Sequence, residues 1–298
     1  MANFSEIFST WWRLARGEHG LMSFLAVIAA AVVATGAFSL NYLLFAAGPA
    51  LIVFASFILN DYFDLPSDKA LGRKDRPLVS KQILPKTALL ASIALFAIGL
   101  ALCFISSFLA FEIALAYSLL SIAYSLLLKK LPLLGNAVTA TTYGISFLYG
   151  NAVAVNSLAL IDLNVLAVSF AIFAFLAGFG RELLITLRDV EGDKKIGALT
   201  LPMLLGPYLT AWLASLFLLS AIAATYFPIV NEYFANNSPS LWAYLLLVGV
   251  CDAILFYCAY SSIRNASREN LSKIRDYTLK AFQLALLGFF VVALLKIT

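Results

Sequence analysis

Charge is what this sequence has least of. Only 12% of its 298 residues are Asp, Glu, Lys or Arg, while 62% are hydrophobic and the mean hydropathy is +0.94. Soluble domains carry roughly 25% charged residues, so a soluble globular fold is excluded. Histidine occurs once, as His19, and cysteine three times, as Cys103, Cys251 and Cys258. A lone histidine and an odd number of cysteines without ligand spacing exclude a His/Cys metal centre, and the cysteines read as small buried apolar residues. Repeats and low-complexity segments are absent. The net charge of +4 is spread over short segments, so there is no basic domain for nucleic acid. Nor is a cleavable signal peptide expected. The start, MANFSEIFSTWWRLARGEHG, mixes acidic groups with Trp11 and Trp12 and reads as an interfacial helix leading into the first span.

What is present is a series of apolar runs of about 20 residues, the length of a transmembrane helix rather than of a barrel strand. Spans are predicted near 20–40, 42–60, 88–106, 109–128, 133–155, 163–186, 204–228, 240–262 and 277–296. The apolar stretch from Ala88 to Leu128 is too long for one crossing and is divided at Ser106-Ser107. The expected fold is an all-α, polytopic membrane bundle of nine helices, a single domain over 1–298, with a central cavity opening near the cytoplasmic face. Parity supports the count. Nine crossings place 19 of the 20 Lys and Arg residues on one side, with only Lys296 opposite, and the positive-inside rule makes that side cytoplasmic. Arg181 is counted there with Arg188, Lys194 and Lys195.

Two polar stretches, 61–87 and 187–203, are expected as long loops on this side, and loops of such length commonly carry function. Four crossings separate them, so both emerge on the same face. Each begins with carboxylates at the end of an apolar run. In the first, Asn60-Asp61-Tyr62-Phe63-Asp64-Leu65-Pro66-Ser67-Asp68, continued helix would gather Asn60, Asp61, Asp64 and Asp68 within an arc of roughly 100°. Pro66 is expected to kink or end that helix before Asp68. In the second, Arg188-Asp189-Val190-Glu191-Gly192-Asp193, the aspartates stand four apart on one face. Hard oxygen donors without His or Cys suit Mg2+ held partly by substrate phosphates. The interleaved Arg73, Arg76, Lys129, Lys130, Arg188 and Lys194 suit phosphate oxygens. A diphosphate at the membrane surface, with its organic tail among the helices, accounts for both sets.

On these residues the chain resembles the UbiA superfamily of intramembrane prenyltransferases. Asn60, Asp61, Asp64 and Asp68 match that family's NDxxDxxxD signature, and Asp189 and Asp193 match its DxxxD. Asp75-Arg76-Pro77 and Thr200-Leu201-Pro202 make the archaeal digeranylgeranylglyceryl phosphate synthases the most similar branch. The chain departs from that branch at Ser80-Lys81 and at Arg16-Gly17-Glu18-His19. The resemblance implies two Mg2+ ions held by Asp61, Asp64, Asp68, Asp189 and Asp193. It also implies ionisation of a geranylgeranyl diphosphate donor and capture of the cation by a lipid-like acceptor, geranylgeranylglyceryl phosphate. Tyr124, Tyr143 and Tyr149 are the expected aromatic partners of the cation, and His19 an expected acceptor contact. No obligate protein partner is implied. A quinone-type aromatic prenyltransferase is the alternative enzyme. A secondary transporter is the alternative class, against which stands the surface position of both clusters, since transport sites lie near the midplane.

Overall fold

The computed structural model describes residues 3–195, 197, 199–231, 233–235 and 237–295, so Lys296 lies outside the described residues. Every regular element among them is helical. In chain order these are α1 (Phe4–Ala15), α2 (Gly17–Thr35), α3 (Asn41–Ala70), α4 (Pro85–Ser106), α5 (Phe108–Leu126), α6 (Leu134–Val155), α7 (Val165–Lys195), α8 (Leu201–Thr225), the short α9 (Phe227–Val230), α10 (Pro239–Arg264) and α11 (Arg268–Leu295). All but α1 and α9 have at least 19 residues, giving nine long helices where nine spans were expected. Eight of them combine span length with span hydropathy. The exception, α6, carries Asn136, Thr139, Thr141, Thr142 and Asn151 among its apolar residues and sits inside the bundle. The division after Ser106 is sharp. Ser107 is extended, at φ −170°, and its hydroxyl caps α5 by accepting from the Ala110 N–H at 3.0 Å.

The two motif-bearing helices run further than their apolar stretches. Instead of ending near 60 and 186, α3 continues to Ala70 and α7 to Lys195, so most of both expected long loops is helix. Pro66 lies inside α3 without ending it, which corrects the expectation of a turn before Asp68. The proline removes the backbone bond to Tyr62. The chain on either side is held by Ser67, whose hydroxyl donates to the Asp64 carbonyl at 2.8 Å, and by the Leu71 N–H, which donates to the Ser67 carbonyl at 2.9 Å. Only 71–84 remains as loop before α4.

The first helix carries a capping box, with the Asn3 side chain accepting from the Glu6 N–H and Glu6 accepting from the Asn3 N–H. Phe4, Ile7, Phe8 and Trp12 are left exposed on it, as expected of a helix lying at a bilayer interface. In the bundle, close approach replaces the hydrophobic effect, which lipid cannot supply. A Cβ on Gly150 of α6 would sit 2.4 Å from the Val27 carbonyl oxygen of α2, and one on Gly144 would sit 2.5 Å from that of Ala171 in α7. Hydroxyls add polar contacts between helices, as in Ser23 to Ser146 at 2.8 Å and Ser92 to the Ala55 carbonyl at 2.9 Å. Asp252 is buried in the middle of α10 and accepts from Thr225 Oγ1 at 2.9 Å.

Gly150→Leu is expected to separate α2 from α6 and to destabilise the protein by about 1–3 kcal/mol, the usual range for overpacking. It would be read as a lower thermal midpoint in detergent, while Gly249→Leu, with open space at its Cβ, leaves the midpoint near wild type.

Candidate active site

The ends of α3 and α7 meet at the mouth of a cavity of about 640 Å³, within the usual size of small-molecule sites. Helical periodicity builds its walls. From α3 come Val53, Ser56, Phe57, Asn60, Asp61 and Asp64, a single stripe at three- and four-residue spacing; from α6 come Val138, Thr139, Thr142, Tyr143, Ser146 and Phe147. Thr139 and Thr142, two of the polar residues that lower the hydropathy of α6, thus face the cavity. Along α7 the lining runs from Phe170 to Asp189, about 28 Å of helix at 1.5 Å per residue. One end is charged, with Arg16, Arg73, Arg76, Arg188 and five aspartates, Asp61, Asp64, Asp75, Asp189 and Asp276. The other is apolar, with Phe147, Phe170, Phe173, Phe282 and Leu286. Such a shape accepts an amphiphile whose anionic head stays at the mouth.

Four of the motif aspartates have a cation beside them. Asp61, 3% exposed, accepts from Arg76 Nη1 on both oxygens at 2.9 Å, with Arg16 Nη2 at 3.5 Å. Asp64 accepts from Lys129 Nζ at 2.5 Å and from Asn60 Nδ2 at 2.9 Å. Asp68, also buried, lies 3.5 Å from Arg73 Nη1 and 3.8 Å from Arg76 Nε. Arg188 grips Asp189 through Nε at 2.8 Å and Nη2 at 2.6 Å. The loop 71–84 therefore folds back so that its arginines neutralise the helix before it. Lys129 arrives from the short 3-10 turn Leu128–Lys130 after α5.

Of the residues singled out in the sequence, the cavity brings together His19, Asn60, Asp61, Asp64, Arg73, Arg76, Tyr124, Tyr143, Arg188 and Asp189. Lys129 joins them through Asp64. Asp68 stays under the two loop arginines, off the cavity surface. Asp193 is half-buried one turn beyond the cavity lining, and Lys194 is exposed. The side chain of Lys130 lies outside the described residues. Tyr149 is not at the cavity; it is buried, with its hydroxyl 3.5 Å from Cys103 Sγ. The reason is rotational. Six residues from Tyr143 amount to 600°, which puts Tyr149 on another face of α6. Tyr117, from α5, lines the cavity instead. Arg181 and Glu182, which sequence reasoning passed over as site residues, also line it. Arg181 is not a loop cation but is buried within α7. The available signal was an adjacent ionisable pair inside an apolar run, which points to function by default.

Residues 21–293 match the UbiA prenyltransferase family. The chain belongs to that family. A UbiA relative from Archaeoglobus fulgidus, described as digeranylgeranylglyceryl phosphate synthase, is 35% identical over 283 residues, covering 94% of this chain and 93% of the relative. A solved structure concerned with digeranylgeranylglyceryl phosphate synthase superposes with a TM-score of 0.72 at 24% identity, over 96% of this chain and 98% of that one. A UbiA homologue from Archaeoglobus fulgidus bound to GPP and Mg2+ superposes with a TM-score of 0.61 at 16% identity, over 94% and 99%. These last two show the fold alone, and the protein is accordingly an integral membrane one of UbiA architecture.

The donor set suits magnesium. Among the described residues no three acidic, His or Cys side chains converge into a ready-made cage. Asp61, Asp64 and Asp189 instead present hard oxygens already opposite cations, and Asn60 Oδ1 is buried without a hydrogen bond. That arrangement fits an ion shared between one or two carboxylates and the phosphates of a ligand.

Arg76→Ala removes the two-oxygen partner of the buried Asp61, leaving it Arg16 at 3.5 Å, and is expected to cost on the order of 3 kcal/mol. The thermal midpoint should fall accordingly, and the double variant Arg76→Ala/Asp61→Asn should recover much of the loss.

Proposed function

We propose that this protein transfers a geranylgeranyl group from geranylgeranyl diphosphate to the free hydroxyl of geranylgeranylglyceryl phosphate, a step of ether-lipid synthesis. The observation that carries the reading is one cavity with paired Asp and Arg clusters from two helices at its mouth and aromatic rings along its depth. The relatives named for this reaction, 35% identical over nearly the whole chain, support the choice of acceptor. The concentration of Lys and Arg at the motif-bearing end supports a cytoplasmic mouth.

In this reading Asp61, Asp64 and Asp68 from α3, and Asp189 and Asp193 from α7, hold two magnesium ions together with the diphosphate. Magnesium, when bound, supplies the positive charge that stabilises the leaving diphosphate. Arg73, Arg76, Lys129 and Arg188 then exchange their carboxylate partners for phosphate oxygens, a change of partner that keeps each charge matched. Lys130 and Lys194 are assigned a weaker role in drawing the anionic donor to the mouth. As the allylic C–O bond breaks, its electron pair leaves with the diphosphate. Tyr124 and Tyr143, joined by Tyr117, present ring faces to the cation. Phe147, Phe170 and Phe282 hold the prenyl chain and exclude water. His19, whose Nδ1 is buried without a hydrogen bond, contacts the acceptor.

Purified protein should release diphosphate from geranylgeranyl diphosphate only with magnesium present, and Asp64→Ala or Asp189→Ala should abolish the release. Full activity in either variant would contradict the two-motif clamp. Offered geranylgeranylglyceryl phosphate beside 4-hydroxybenzoate and a naphthoate, the protein should prenylate the glyceryl phosphate; product from the aromatic acids alone would make it a quinone-type enzyme, and solute counterflow without condensation a transporter.

A further inference from the structure

Deeper than the aspartates lies a carboxylate that the diphosphate clamp does not use. Glu182 stands seven residues before Asp189, two helical turns along the same face of α7 and about 10 Å further from the mouth. It lines the cavity between the charged end and the ring of Phe282. One of its oxygens is fully engaged. Oε1 accepts from the Tyr143 hydroxyl at 3.2 Å and from Arg181 Nη1 at 3.2 Å, while the same Nη1 donates to the Tyr143 oxygen at 3.0 Å. Oε2 accepts no hydrogen bond from the described residues and is left to the cavity. Arg181 is 7% exposed, and a guanidinium buried at that depth is costly without an anion beside it. The three side chains therefore fix one carboxylate oxygen and present the other. His19 faces the same place, its ring 6.3 Å from that of Tyr143.

We infer that Glu182 is the proton acceptor for the incoming hydroxyl, with Tyr143 and Arg181 as its positioning residues. The inference rests on the alcohol acceptor proposed above. Capture of a carbocation by an alcohol leaves a positively charged oxygen until the O–H proton departs. The hydroxyl oxygen forms the new C–O bond, and its proton passes to Glu182 Oε2. The electron pair of the broken bond has already left with the diphosphate, so no further reactant is needed. The position agrees with this order of events. The leaving group sits at Asp64 and Asp189, the prenyl C1 follows it inward, and the base lies one acceptor further in.

The test compares wild type with Glu182→Gln, which keeps the size and one hydrogen-bond acceptor of the side chain. Each is supplied with magnesium, geranylgeranyl diphosphate and geranylgeranylglyceryl phosphate, and diphosphate, ether and geranylgeraniol are quantified separately. Expected is continued diphosphate release with a ratio of ether to geranylgeraniol reduced about a hundredfold, the range for loss of a general base. Glu182→Asp should restore part of that ratio. An unchanged ratio in Glu182→Gln overturns the inference, as does a parallel fall of all three products, which marks a folding or donor-binding role. If wild type itself makes no ether from this alcohol while releasing diphosphate, the proposed acceptor is wrong and the inference falls with it.

Discussion

A carboxylate inside a bilayer-spanning bundle has lost most of its water, and the mouth of this cavity is organised by the need to replace it. The idealised cost of taking an ion from water into a low-dielectric interior is of order 20 kcal/mol, and several kcal/mol remain after relaxation. Asp61, Asp64, Asp68, Asp189 and Glu182 each meet that cost with an Arg or Lys within 4 Å. The cations come from different segments, namely the loop 71–84, the turn after α5 and α7 itself. Two of the pairs cross between segments, Lys129 to Asp64 and Arg16 to Asp61, and tie the turn after α5 and the start of α2 to α3.

The same pairing suits the site to a highly charged ligand. In the proposed reaction an anionic diphosphate with its metal ions would bring both signs of charge, so each carboxylate would gain a cation as it releases one. Each arginine would gain a phosphate oxygen in place of a carboxylate. Little uncompensated charge is exposed at any point. A hydrophobic mouth would reject such a ligand, and a mouth of one sign would bind it without preparing the bond that must break.

Much of this was legible in the sequence because helices report their faces through spacing. Asn60, Asp61, Asp64 and Asp68 fall within one arc, and parity places Asp189 on the same side of the membrane, so both halves of the proposed clamp follow from arithmetic. What spacing alone did not give was how far α3 and α7 continue. For α3 that depends on Arg73 and Arg76 folding back from the loop, a contact no local pattern encodes, and on Ser67 supporting the backbone past Pro66. Tyr149 shows the opposite case, since its distance from Tyr143 already placed it on another face. Glu182 shares a face with Asp189 at seven residues' spacing, but assigning Arg181 to a loop hid the pair. The proposed acceptor site is the least legible part, because His19, Tyr143 and Glu182 come from α2, α6 and α7 and meet only in three dimensions.

The most direct measurement is a structure of the protein with magnesium and a non-hydrolysable thiolo analogue of geranylgeranyl diphosphate. The account predicts the diphosphate between Asp64 and Asp189, with Arg76 and Arg188 turned from the aspartates onto phosphate oxygens and the prenyl chain running inward past Glu182 to Phe170. A diphosphate bound elsewhere, or aspartates still paired with their arginines around a filled cavity, would contradict it.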